Sequence, residues 1–557
     1  MSRTITRTFT PRNELDHVIY PTGPPVAFTY DEEGNPRTMT DALLGTTETI
    51  YDPMGRPQSY TDAFGKTLSF DYNENGDRRH ITYPGNKQIT LDYDDAGRPW
   101  KLTDWLGRVI ERSYSDAGRP LRVDFPNGVK TEFTHDAAGR FKTFAHRLGA
   151  APPFASTSLT LSNAGDIKQF DDTPPLGPYL PPSTLTYTNG TANQLATING
   201  NPVTHDFNGN LLSGNLNGTT PHTLTFDFED RLLSLTTAGQ TNSNRYDGRG
   251  HRLETTQGGS TTRYVVDPHA SLSQIMAETD TTGNVTAYYL YFGGLAARVL
   301  PNGTASYYHV NHQGSIIALT AGDGSITDTY QYDPFGVPMG STGSSTNHFR
   351  YLGGFGLWDN GDGTVFARAR HFDPLLGRFL SRDPLRGTDT GTQTINRYIY
   401  ALNNPLRFTD ASGLTARDMS MANSTPSIVN RSGKFSGAKV LSYATDGYFV
   451  LLATGEVVLV ASDIAAIFFP VAEPETAGLT IANTTALEAR IAAINAETEE
   501  VAPATEAEMV TVYRGVHANH PQHANALKGI AEPMGGHADP VLHNAGDNGS
   551  NIYLLDH

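Results

Sequence analysis

The first 140 residues repeat themselves at a fixed interval. An aromatic residue, a polar turn and a glycine recur as Tyr30-DEEGN, Tyr51-DPMGR, Tyr72-NENGD, Tyr93-DDAGR, Tyr114-SDAGR and His135-DAAGR, each 21 residues after the last. Every copy has glycine four positions after the aromatic, at Gly34, Gly55, Gly76, Gly97, Gly118 and Gly139. A second glycine often follows about ten residues on, as at Gly65, Gly107 and Gly128. Looser copies return at His205, Tyr246 and Tyr332. A period of this length predicts one supersecondary unit per copy, unable to bury its apolar face alone and stacked on its neighbours into a continuous core.

Each copy reads as a hairpin. A strand ends in the aromatic residue. The Asp can bond nearby backbone amides, and the Gly can take φ > 0, so Asp-x-x-Gly makes the turn. The strand that follows, such as RPWKLTD or RPLRVDF, alternates apolar and polar residues, as suits a sheet with two unlike faces. Composition agrees: 55 Gly, 34 Pro, 26 Tyr and 25 Phe against only 18% charged residues predict many short strands joined by turns. The Tyr and Asp spacing follows the turn, which favours structural roles over a repeated ligand site. Residues 150–200 are rich in Pro, Ser and Thr and fit the period poorly, which predicts a loop or an irregular strand pair.

Some functions are disfavoured. A net charge of −17 argues against nucleic-acid binding, which needs concentrated Lys and Arg. The chain has no cysteine, so disulfides, thiolate zinc sites and cysteine nucleophiles are excluded. The N-terminal MSRTITRTFTPRNELD has no apolar stretch of the secretory-signal type. The most apolar segment, Gly447 to Ala472, is interrupted by Glu456 and Asp463. It is expected to form a buried hairpin or helix and no stable membrane span.

The YDxxGR pattern at this spacing resembles the Rhs/YD repeats of bacterial polymorphic toxins, of the C component of insecticidal toxin complexes and of teneurins. The resemblance covers about residues 28–414 and implies a mainly β fold, a spiral of hairpins forming a hollow shell. From Phe349 the chain reads FRYLGGFGLW, then ARARHFDPLLGRFLSRDPL and NRYIYALNNPLRFTDASGL. This is similar to the Rhs-associated core, which closes the shell and ends in a self-cleavage motif of the form DPxGL.

By that resemblance the core carries two aspartates that act as an aspartic-protease-like pair. Peptide hydrolysis needs one carboxylate ionised, to take a proton from water, and one carboxyl protonated, to supply the leaving nitrogen. Neighbouring carboxyls in low dielectric divide those roles by sharing a proton. The motif places the pair at Asp383, preceded by Arg382, and Asp410, with the scissile bond at Leu414–Thr415. Here DPxGL is DASGL, with Ala411 in place of Pro, and the stretch before Asn396 is longer than usual. Asp389 lies in that stretch and could replace either partner. Without the family, Asp383 and Asp410 read first as turn caps.

After Leu414 the repeat stops and Ala and Glu rise. TALEARIAAINAETEE reads as a helix with a Thr485/Glu488 capping box. His517, His520 and His523 are spaced by three, but Pro521 breaks a helix there and the pattern predicts a polar loop, not a metal site. TVYRG with the following His-rich loop is similar to the N-terminal half of ADP-ribosyltransferase-type toxin domains. That likeness implies NAD as cofactor, Arg514 gripping its phosphates and Ser550 opening a Ser motif. The family's catalytic Glu has no counterpart downstream, so the domain reads as truncated.

The expected organisation is a YD-repeat shell over 1–348, the core over 349–414, a linker over 415–505 and a small α+β toxin-like segment over 506–557. The expected function is a toxin shell that encloses its own C-terminal segment as cargo and releases it, with no cofactor for the shell. A secretion system or toxin complex and an immunity protein are implied partners, and a delivered effector made in the bacterial cytoplasm the implied location. The alternatives are a surface- or carbohydrate-binding scaffold and a working ADP-ribosyltransferase.

Overall fold

The computed structural model describes residues 4–163, 166–173, 185–385 and 395–418, together with the backbone of three strands further on. It divides into two compact units, Met1–Lys434 with Phe468–Val471, and Phe435–Ile467 with Ala472–His557. In the second unit, strands Ala438–Thr445, Tyr448–Ala453 and Glu456–Val460 form an antiparallel sheet. Two of these strands make a hairpin of part of the apolar segment. No helix among the described residues is long and apolar enough to cross a membrane.

The first unit is built from two long antiparallel sheets whose strands follow one another in chain order. One has 16 strands, from Thr6–Phe9 to Ile167–Thr173, and the other 14, from Thr204–His205 to Pro338–Thr342. Neither closes on itself as a barrel. The poorly periodic region still supplies regular strands, at Ala155–Leu161 and Ile167–Thr173.

The repeat's consensus is explained residue by residue at its turns. Asp52 Oδ1 accepts the amides of Met54 and Arg56, both at 2.9 Å, and its Oδ2 accepts Arg56 Nε at 2.7 Å. Gly55 closes the turn onto the Asp52 carbonyl at φ 75°, where a Cβ would be strained. The Arg56 guanidinium then lies 4.4 Å from the ring centroid of Tyr72, the aromatic of the next copy. The tyrosine hydroxyl reaches back 15 residues: Tyr30 donates to the Leu15 carbonyl, Tyr51 to Pro36, Tyr72 to Pro57, Tyr93 to Arg78 and Tyr114 to Pro99, at 2.6–3.1 Å. These bonds staple each hairpin to its neighbour. Tyr114→Phe is expected to cost about 1 kcal/mol. Hydrogen exchange should show the loss as reduced protection of strands Pro99–Thr103 and Val109–Tyr114.

The two sheets are buried differently. In strand Thr67–Tyr72 of the first, Leu68 and Phe70 are buried and their neighbours are not. In strand Val285–Tyr291 of the second, Ala287, Tyr288, Tyr289 and Leu290 are all buried. Successive side chains point to opposite faces. Tyr288 and Leu290 accordingly pack with Leu68, Phe70 and Ile81 of the first sheet, while Ala287 and Tyr289 pack with Phe349, Trp358 and Phe372 of the core segment. The second sheet is thus sandwiched, as its continuous apolar runs require. An ion pair crosses the first interface, Arg78 Nη1 to Asp267 Oδ2 at 2.5 Å, with both side chains 1% exposed.

The core segment adds four short strands, Trp358–Asp359, Val365–Ala367, Arg370–Asp373 and Arg378–Phe379. Its aromatic residues interlock, with the Phe372 and Tyr400 rings 4.1 Å apart. Tyr398 anchors it by donating to the Gly209 carbonyl at 2.8 Å. The helix expected over the TALEARIAAINAETEE stretch, with Thr485 and Glu488, lies outside the described residues.

Candidate active site

Strand Arg370–Asp373 points Arg370 into the centre of the core segment, where its guanidinium is buried against the Phe379 ring, 3.6 Å from the centroid. Arg370 Nη2 meets Asp383 Oδ2 at 2.7 Å and Asp410 Oδ2 at 3.5 Å. One nitrogen therefore joins the two aspartates that the motif singles out. Arg370 also donates through Nε to the Gly413 carbonyl and through Nη1 to the Arg397 carbonyl. The guanidinium thus fixes both carboxylates and the DASGL backbone together.

Asp410 follows the short strand Phe408–Thr409. Its Oδ1 accepts the amides of Leu414 at 3.0 Å and Thr415 at 3.1 Å, and the Ser412 hydroxyl at 3.1 Å. The Thr415 nitrogen is the one that would leave if Leu414–Thr415 were cut. Asp383 is held by its own amide on the Arg397 carbonyl, 2.9 Å, and by the Leu385 amide on Oδ1, 2.9 Å. Burial pushes its carboxyl up to about 6, helped by the negative charge of Asp410 and opposed by Arg370. Burial also lowers Arg370 from the ordinary guanidinium range, against the pull of the two aspartates.

Asp383 and Asp410 share some of the capping geometry of the repeat aspartates. They differ in their cation. Asp52, Asp94, Asp104 and Asp136 each pair with the Arg four residues on, whereas Asp383 and Asp410 share one Arg from another strand. Arg370 stands in the core string ARARHFDPLLGRF, but the motif gave it no role beside the aspartates. Only the strand pairing sets it between residues 13 and 40 positions downstream. Arg382, beside Asp383 in sequence, is exposed. Asp389, Arg514 and Ser550 lie outside the described residues, as do His517, His520 and His523.

Gly413 sits at φ 72°, and a Cβ there would run into the Ala367 carbonyl. Arg368 holds the same segment from the side, donating to the Ala411 carbonyl at 2.6 Å. Gly413→Ala is expected to displace the Leu414–Thr415 backbone. A shift of about 1 Å costs about 10²-fold in an oriented reaction, so any cleavage at Leu414–Thr415, measured by gel over time, should slow by that order.

The architecture defines a class: a β-shell of stacked YD hairpins carrying an Asp–Arg–Asp cluster, its Arg370 and Asp410 buried, at the end of its core segment. Residues 184–406 match the Teneurin YD-shell family model and residues 30–67 the RHS Repeat model. Over these residues the chain carries the repeats of the Rhs/YD-repeat family. It is 33% identical over 228 residues to the tRNA nuclease WapA of Bacillus subtilis, a match covering 40% of this chain and 9% of that protein. It is 32% identical over 109 residues to YibJ of Escherichia coli, covering 19% of this chain and 44% of that one. Against the solved TcdB2–TccC3–Cdc42 structure the TM-score is 0.41 at 16% identity, covering 76% of this chain and 30% of the other. The matched region thus spans about a tenth of the WapA relatives' length.

Proposed function

We propose that this chain is a toxin shell that cuts itself between Leu414 and Thr415 and so frees the segment that follows as its cargo. The observation that carries the reading is the placing of Asp410 Oδ1 3.1 Å from the Thr415 nitrogen, with Asp383 tied to it through Arg370. In this scheme Asp383, ionised, takes a proton from the water that attacks the Leu414 carbonyl carbon. The C–N bond breaks as Asp410, in its protonated form, gives a proton to the Thr415 nitrogen. The products are a Leu414 carboxyl and a Thr415 amine.

The reacting state, with the charge on Asp383, is a minor one, because burial favours the neutral form of that carboxyl. A single turnover on a tethered peptide tolerates that, because the high effective molarity compensates. Cargo release, delivery of the freed segment to another cell and neutralisation by an immunity protein belong to the same proposal, in keeping with the toxin relatives. The test is the intact mass of the purified chain, with N-terminal sequencing of any fragment. The expected result is a fragment ending at Leu414 and another beginning at Thr415. A chain that stays whole through prolonged native incubation would sink the proposal. Because the reacting form holds one proton on the pair, the cleavage rate is expected to fall as pH rises through about 6, where that proton is lost.

A further inference from the structure

Away from the Asp–Arg–Asp cluster, two imidazoles meet between the long sheets. His146 stands in strand Phe141–Leu148 of the first sheet and His309 in strand Ala305–Val310 of the second. Each is 1% exposed, and their ring centroids are 5.3 Å apart. The apolar cluster beside them draws on both sheets, with Phe125 and Val129 on one side and Ala305 and Tyr307 on the other. Each ring holds onto the opposite sheet. His146 Nε2 meets the Val310 carbonyl at 2.8 Å, and its Nδ1 meets the Thr131 hydroxyl at 2.9 Å. A carbonyl only accepts, so Nε2 carries the proton and Nδ1 accepts from the hydroxyl. The His309 ring packs edge-on to Phe125 and Phe154, with centroids at 5.1 and 5.6 Å. Its Nε2 meets the Thr320 hydroxyl at 2.8 Å, and its Nδ1 has no hydrogen-bond partner among the described residues. His312, buried against the Phe170 ring at 5.6 Å, is a third imidazole on this seam.

The charged groups on the surrounding strands point elsewhere or are already paired. Lys130, Glu132 and Arg147 neighbour Thr131 and His146 along their strands and so alternate to the opposite face, where Glu132 and Arg147 pair at 3.0 Å. Arg298 and Asp328 stand across from Ser306 and Leu319, on the face turned from His309. Asp104 and Arg108, which act on Tyr307, pair with each other at 2.7 Å. Asp172 does share the face of His146, but it accepts the Thr157 hydroxyl at 2.5 Å. Protons taken up by these rings would therefore stay uncompensated while the sheets are closed. Burial holds His146 and His312 down to about 4, and it holds His309 well below the ordinary imidazole range with the His146 ring adding to the effect. A histidine depressed in the folded state contributes stability that is present above about pH 6.5, the unfolded value, and is lost as pH falls toward the folded value. We infer that this seam is an acid-sensitive joint: in a mildly acidic medium, proton uptake by His146 and His309 parts the two sheets here and opens the shell without cutting the chain.

The test is hydrogen exchange of the full chain at pH 7 and pH 5, read by mass spectrometry and corrected for the intrinsic rates. Strands Phe141–Leu148 and Ala305–Val310 are expected to open about twentyfold more readily at pH 5 for His146 alone, and further with His309. Strand Lys87–Tyr93, away from this seam, should hold its protection. The double variant His146→Gln with His309→Gln should lose most of the acid response, since an amide can still donate to the Val310 carbonyl but takes up no proton. Should that variant fail to fold, ¹⁵N-histidine spectra of the wild type decide: the two buried rings should stay neutral at pH 7 and gain protons only as these strands lose protection. Equal exchange in the two strands at both pH values would overturn the joint, as would rings that titrate near 6.5 with protection intact. Acceleration of every strand alike would replace the joint with general acid unfolding. The Asp410→Asn chain should respond to acid as the wild type does, so the joint and the cleavage at Leu414–Thr415 stand or fall separately.

Discussion

The Asp410→Asn chain is expected to remain whole under conditions in which the wild type is cut. An amide in this position can still accept the Leu414 and Thr415 N–H groups through its oxygen, so the turn survives. It has no acidic proton for the Thr415 nitrogen. Loss of a positioned acid or base costs about 10²–10⁴-fold, enough to turn overnight processing into none. Asp383→Asn should match it by removing the base. Arg370→Met should do worse than either, since it strips the cation from buried Asp410 and half-buried Asp383 and frees the Gly413 carbonyl. The control is Asp52→Asn, which alters a repeat turn of the same type and should leave cleavage intact. Mass spectra in which Asp410→Asn processes at the wild-type rate would reduce both aspartates to turn caps.

The second large effect lies at the sheet-to-sheet interface. Asp267→Ala is expected to destabilise the first unit by about 3–5 kcal/mol, the usual cost of leaving one buried charge unpaired. Arg78 would remain with its guanidinium buried against the Phe70 ring, 4.1 Å from the centroid, and no counter-ion at 2.5 Å. Replacing both partners, as Arg78→Met with Asp267→Leu, should recover most of the loss because no stranded charge is left. Urea unfolding of the three variants checks the order. The same pair sets a pH dependence. Burial works against the charge on Asp267, but Arg78 and His269 hold its carboxyl below the ordinary range. A depressed folded pKa contributes stability that is present above about pH 4, the unfolded value. That stability is lost as pH falls through the lower folded value, and Asp267→Ala should flatten this acid limb.

Much of this protein was legible before any coordinates. The Asp-x-x-Gly turns, the glycines at positive φ and the strand before each aromatic depend on residues within five positions of one another. Local backbone chemistry settles such features wherever the segment sits. The pairing order was legible too, because short turns between successive strands permit only neighbour-to-neighbour antiparallel pairing. The motif marked Asp383 and Asp410 for the same reason: they lie in short, recognisable strings.

What the sequence could not display were relations across hundreds of residues. Nothing local tells that Tyr288 faces the first sheet and Tyr289 the core segment, or that Arg78 meets Asp267 189 positions away. Arg370 looks like one more arginine in ARARHFD, and only the packing of the core segment brings it to both aspartates. The repeat determined by itself the strands, the turns and their succession, because those are set by neighbours along the chain. The tertiary structure alone decided which charges and hydroxyls are buried and with whom, because desolvation depends on what the other sheet covers.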